Sequence, residues 1–172
     1  MFDFTRKWTP ARFDGSDDGA GSEMRIVPGL QLLLLSGNTS SALLELGIQG
    51  QGLGATSVAS GDAFALAIAR DRLLVVASRP TLLDEGWRAG GFALTEATDG
   101  ISIVEFSGTG LLRLLNMATT VDWEQPTRSA AISFAGLPAA AAFYHGKDRL
   151  WLFIETPLLP TLRAWFAIAN AS

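Results

Sequence analysis

Cysteine is missing from this chain, which excludes disulfides, iron–sulfur clusters and thiolate zinc sites together and is compatible with a reducing compartment. Histidine is almost missing too. His145 stands alone, so any Ser–His–Asp relay would have to run through it. It sits in the turn His145-Gly146-Lys147-Asp148, where a solvated turn residue is the ordinary reading. The Gly-x-Ser-x-Gly elbow that presents a nucleophilic serine and the Gly-x-x-x-x-Gly-Lys-Ser/Thr phosphate loop are both absent. Charge is scarce: charged residues make up 17% of the chain, with 13 Lys and Arg against 17 Asp and Glu and a net charge of -4. The basic residues form no run, which excludes a nucleic-acid binder working through phosphates. Long apolar runs are lacking as well. Stretches such as Leu32–Leu35 are far too short to span a bilayer. Met1 to Pro10 carries Asp3, Arg6 and Lys7 with no apolar stretch behind them, so no signal peptide is read there. The expectation is a cytoplasmic protein, with no metal, no nucleic acid and no membrane among its partners.

What the chain does have is core. Apolar residues make up 48% of its 172 positions, enough for one globular domain, and so lean a charged surface suggests a partner. Residues 1–23 stand apart as a flexible N-terminal arm. Gly15, Ser16, Asp17, Asp18, Gly19, Gly21 and Ser22 form a polar stretch, preceded by Phe2, Phe4, Trp8 and Phe13. Those aromatics dock either on their own domain or on a partner.

Residues 24–172 read as one α+β domain. Strands are expected at Met24–Val27 and Leu30–Leu35, either side of Pro28-Gly29. Asn38, Thr39 and Ser40 offer cap oxygens to a helix bearing Leu43, Leu44 and Leu46. Gly47 to Gly54 breaks it. Strands follow near Thr56–Ala59, through Phe64, Leu66 and Ile68, and at Leu73–Ala77. Pro80-Thr81 is expected to open a helix through Leu82, Leu83 and Trp87, ended by Gly90-Gly91. The order then starts again. Phe92–Ala97 and Ile101–Phe106 read as a hairpin across Asp99-Gly100. A helix holds Leu111, Leu112, Leu114 and Leu115. Strands are expected at Ser129–Phe134, Ala139–Tyr144 and Arg149–Ile154. Thr156-Pro157 opens a last helix, with Leu158, Leu162, Trp165, Phe166 and Ala169 on one face.

The recurrence is in the residues too. Ser36-Gly37 and Ala42-Leu43-Leu44-Glu45-Leu46 align with Ser107-Gly108 and Arg113-Leu114-Leu115-Asn116-Met117 at an offset of 71. Asp71-Arg72-Leu73 aligns with Asp148-Arg149-Leu150, and Pro80 with Pro157, at an offset of 77. The expected fold is a duplicated β(2)-α-β(3)-α unit, repeat one at 24–91 and repeat two at 92–172, sharing one core with pseudo-two-fold symmetry.

Few motifs suggest chemistry. Gly50-Gln51-Gly52-Leu53-Gly54-Ala55 spells a dinucleotide fingerprint, but that motif works between a strand and a following helix. Here it follows a helix and precedes a strand, so a loop ending a helix is the better account. Asp84-Glu85 and Asp122 with Glu124 are paired acids; Asp84 stands three residues after Thr81, as a capping-box acid does. General acid–base work would need such a pair in a cleft. Arg149–Ile154 is apolar on both faces, with Leu150, Leu152 and Ile154 on one and Trp151 and Phe153 on the other. Such a strand is central in its domain or half covered by a partner. Trp8, Phe13, Trp123, Trp151 and Phe153 are the candidate interface residues.

Three segments carry a resemblance to the gamma subunits of sarcosine oxidase. They are Gly61–Ala77 with Asp71 and Leu73-Leu74-Val75-Val76; Thr98–Leu115 with Ile101-Ser102-Ile103-Val104-Glu105-Phe106-Ser107-Gly108; and Ser129–Phe166. Together they span about Met24 to Ala169. That family is similar in turn to the folate-binding domain of aminomethyltransferase, the T-protein of glycine cleavage. The resemblance implies a folate-binding-domain-like fold and a non-catalytic accessory subunit beside larger flavoprotein oxidase subunits, which hold the cofactors. It implies no cofactor on this chain itself; folate is the alternative ligand, in a stand-alone folate or pterin-binding module of one-carbon metabolism. A homodimer is expected when the chain is expressed alone. Leu115-Asn116-Met117-Ala118-Thr119 stands where family members often carry Lys-Gly-Cys, and the chain is shortened around Gln125–Ser129. The resemblance does not place, at any position here, the acid that holds the pterin in folate-binding relatives.

Overall fold

The structure, a computed structural model, describes residues 21–81 and 84–171. Trp8, Phe13 and most of the arm therefore lie outside the described residues. In chain order the elements are β1 (Glu23–Val27), β2 (Gln31–Gly37), α1 (Thr39–Glu45), β3 (Val58–Ala59), β4 (Ala63–Ala69), β5 (Arg72–Ala77) and β6 (Gly86–Arg88). There follow β7 (Phe92–Glu96), β8 (Ile101–Ser107), α2 (Leu111–Ala118), β9 (Ala131–Phe134), β10 (Leu137–Tyr144) and β11 (Arg149–Glu155). A 3-10 turn (Thr156–Leu158) leads into α3 (Leu159–Asn170).

The strands form two sheets. One runs β1-β8-β11-β10-β3, with β9 also on β10; the other runs β4-β5-β2-β7-β6. All pairings within them are antiparallel except the short β3–β10 contact. Alternation along the strands explains the layering. In β2 and β5, Leu32, Leu74 and Val76 face inward, where they meet Ala140, Ala142, Trp151 and Phe153 of the other sheet. Their sequence neighbours Leu33, Leu35, Leu73 and Val75 face out and are covered by Ala42 and Leu43 of α1. On the opposite side, Val104, Phe106, Leu150 and Leu152 are covered by α2 and α3 through Leu111, Leu114, Leu115 and Leu162. The result is helix, sheet, sheet, helices, and it accounts for central strands apolar on both faces.

Two sequence expectations are corrected. Thr81 and residues 84–90 are not helical; the chain instead makes the edge strand β6, where Trp87 pairs with Ala93. Gly86 has φ +106°, a conformation that stops a right-handed helix. No Thr81–Asp84 capping box forms: the Thr81 amide donates to Oε1 of Gln31 (2.8 Å). Nor do β7 and β8 form a hairpin across Asp99-Gly100. β7 lies beside β2 and β8 beside β1 and β11, so the turn carries the chain from one sheet to the other. Pro28-Gly29 does the same between β1 and β2.

Each crossing is tied down by a matching glycine contact. At the end of β2, a Cβ on Gly37 would lie 2.6 Å from the Gly91 carbonyl, just before β7. At the end of β8, a Cβ on Gly108 would run into the Gly21 carbonyl, just before β1. Gly37 and Gly108 share nearly the same backbone, with φ +105° and +102°. Only glycine permits both the angle and the approach.

Candidate functional site

A charged side chain inside a two-sheet core is costly unless it is paired, so the buried charge marks the place to look. Glu105 is 3% exposed. It lies on β8 at the same face as Ile103 and Ile101, two and four residues earlier, and therefore points toward the inter-sheet side. Its register partners are Arg25 on β1 and Trp151 on β11. The three side chains make a row across adjacent strands. Arg25 Nε donates to one carboxylate oxygen at 2.7 Å, and Trp151 Nε1 donates to the other at 2.9 Å. Trp151 is itself clamped, stacked on Tyr144 at 3.6 Å between ring centroids and tilted against Phe64 at 6.2 Å.

Burial alone would push the Glu105 carboxyl up. The hydrogen bonds from Arg25 and Trp151, with the charges of Arg25 and Arg149, outweigh it and hold the group below the usual glutamate range. Arg25 is raised in return, chiefly by its hydrogen bond to Glu105. One row further along, Glu23, Ser107 and Arg149 stand in register on the same three strands. With Gly108, Thr109 and Asp148 the two rows line an open cleft of about 590 Å³. A carboxylate held ionised with both oxygens occupied is a fixed negative charge. It is poorly suited to general-acid work, which needs a raised pKa.

The residues singled out from the sequence are placed elsewhere or deeper. Trp123, Trp151 and Phe153 are 5%, 5% and 3% exposed, inside the chain's own core. Trp123 stands edge-on to Phe143 at 5.6 Å. As folded, all three rings are packed within the chain itself. His145 is exposed in its turn at φ +59°, against Tyr144. Asp122 accepts from the Glu124 amide within one turn, and Glu85 accepts from the Glu96 amide. None of Asp84, Glu85, Asp122 and Glu124 lines the cleft beside Glu105. Among the described residues, no three His, Asp or Glu side chains are grouped to hold a metal.

The Gly50–Gly54 loop joins α1 to β3, and its glycines have structural causes. A Cβ on Gly52 would sit 2.6 Å from Leu73 Cδ2, and one on Gly54 would collide with the Thr127 carbonyl. No helix follows the loop to face a pyrophosphate.

Sequence reasoning missed Glu105 and Arg25 as a pair. One signal was available: a glutamate in phase with two isoleucines of an otherwise apolar strand is a charge aimed at the core.

No protein-family model matches the sequence, and no curated protein matches it. Solved structures do match by fold. The chain is similar to a chain of heterotetrameric sarcosine oxidase from Corynebacterium sp. U-96 (TM-score 0.65, 18% identity), covering 89% of this chain and 85% of that one. It is also similar to the glycine cleavage system aminomethyltransferase T from Bartonella henselae (TM-score 0.52, 11% identity), covering 85% of this chain but 45% of that one. The fold is thus sarcosine oxidase gamma-like and T-protein-like, as the sequence resemblance implied.

Proposed function

We propose that this chain is a non-catalytic accessory subunit of a flavoprotein oxidase of the sarcosine oxidase kind, packing against larger cofactor-bearing chains. One observation carries the reading. The chain corresponds nearly end to end to one whole chain of a heterotetramer, whereas it matches less than half of the aminomethyltransferase. The centre of the molecule supports the reading: the inter-sheet space is filled by Leu32, Leu74, Trp151 and Phe153, and Glu105, the one buried acid among the described residues, is already paired.

We also read the chain as two copies of one unit that exchanged their first strands. Strands β10-β11-β8-β1 in one sheet follow the same order as β4-β5-β2-β7 in the other. The paired contacts Gly37–Gly91 and Gly108–Gly21 support that reading.

The test is purification of the tagged full chain from its own cells, with mass spectrometry and a visible spectrum of the eluate. A larger flavin-bearing chain in fixed ratio is expected. A chain that elutes alone and colourless defeats the subunit reading. The second reading, a stand-alone pterin-type binder, rests on Glu105 facing the inter-sheet mouth. It predicts saturable quenching of tryptophan fluorescence by a reduced folate, lost in Glu105→Ala.

A further inference from the structure

Three segments distant in sequence converge beside β4, at the edge of the five-stranded sheet. The Gly50–Gly54 loop is laid along β4 by Leu53, whose amide donates to Ala65 O (2.8 Å) and whose carbonyl accepts from Ala67 N (2.9 Å). The same strand ends at Ala69, so Arg70 follows directly beside the loop. Gly54 packs on the Thr127 carbonyl, and Ala55 N donates to Ser129 O (2.9 Å), which brings Arg128 to the other side. Between them opens a cleft of about 830 Å³, within the range of metabolite sites.

Its lining is unusual for a chain of net charge -4. Arg70 and Arg128 both line it, and no Asp or Glu does. Arg25, Arg79, Arg88 and Arg149 each have an acidic partner. Arg70 and Arg128 have no hydrogen-bond or ion-pair partner among the described residues. The backbone amides of Gly50, Gln51 and Gly52 likewise have none among those residues. Gly50 has φ +94°, the left-handed angle that lets successive amides turn toward one concavity and favour an anion. Leu43 and Leu73 give the cleft an apolar floor.

We propose that this cleft binds a small organic ligand through a phosphate group, held by the Arg70 and Arg128 guanidiniums and the free amides of the loop, with its body over Leu43 and Leu73. The guanidinium fork matches phosphate oxygens in a bidentate way. The loop supplies amides in place of the helix N-terminus that the dinucleotide fingerprint requires. The proposal does not depend on the subunit reading, because no residue lines both this cleft and the one beside Glu105.

The experiment is calorimetric titration of the full chain with inorganic pyrophosphate, and separately with citrate, at low and at moderate salt. Saturable pyrophosphate binding that weakens with salt is expected. Arg70→Gln and Arg128→Gln should each weaken it about 5- to 20-fold, and Arg79→Gln, at a distant ion pair, should leave it unchanged. Thermal unfolding of each variant checks that the fold is kept. No saturation by pyrophosphate at about 10 mM, roughly tenfold above the top of the usual substrate range, overturns the proposal. So does binding unaltered by either glutamine variant. Citrate binding more tightly than pyrophosphate through the same two arginines overturns the phosphate assignment.

Discussion

Glu105 shows how one residue couples the core to pH. Its carboxyl is depressed when folded, so its contribution to stability is complete above the unfolded value of about 4.3 and is lost as pH falls through the lower folded value. Glu105→Gln should lower stability at pH 7 by about 1–3 kcal/mol, the worth of hydrogen bonds to a charged group. The gap between wild type and variant should close as pH drops below about 4. Urea titrations at pH 7 and pH 3 check this; a gap that stays constant with pH would show that the loss does not come from the charge of Glu105. Gly54→Ala should cost about 1–3 kcal/mol, because its Cβ meets the Thr127 backbone rather than a movable side chain.

At the scale of elements, α2 offers an internal comparison. Leu114 is 3% exposed and Leu112 is 58% exposed on the same helix. Leu114→Ala should cost about 2–5 kcal/mol and Leu112→Ala less than about 0.5 kcal/mol, read by chemical denaturation. Equal losses would mean that a partner covers Leu112 in the preparation. Most elements were legible because their residues repeat with period 2 or 3.6. Leu32–Leu35, Leu73–Ala77 and Arg149–Ile154 are strands where expected, and the Leu111–Leu115 and Leu158–Ala169 segments are helical. The segment after Pro80 was not legible. Its proline and capping pattern suit a helix start, but Gly86 and the pairing of Trp87 with Ala93 place it on a sheet edge. Edge pairing is decided by a neighbour 6 residues away in register, which local propensity does not weigh.

For the whole molecule, the way each sheet draws strands from both halves of the chain has a mechanical consequence. β1 belongs to the sheet built from the second half, and β7 to the sheet built from the first. Neither sheet is complete without chain from the other half, and Leu32, Leu74, Trp151 and Phe153 form one core between them. The described domain should unfold in a single cooperative transition, with far-UV circular dichroism and tryptophan fluorescence coinciding. Two separated transitions would mean that the halves hold their folds independently.

The sequence by itself determined the class of the fold, the position of nearly every element, the recurrence of Ser-Gly and Leu-Leu at fixed offset, and the likeness of family. Periodicity and composition are local properties, and they survive without knowledge of partners. The tertiary structure decided which strand lies beside which, because strands apolar on both faces carry no preference for either sheet. It also decided that Trp123, Trp151 and Phe153 turn inward and that Arg25 meets Glu105 across 80 residues. Arg70 and Arg128, too, come to one cleft only through the pairing of Leu53 with β4 and the packing of Gly54 on Thr127. Those contacts depend on register and close approach between distant segments, and that is information no stretch of the chain holds alone.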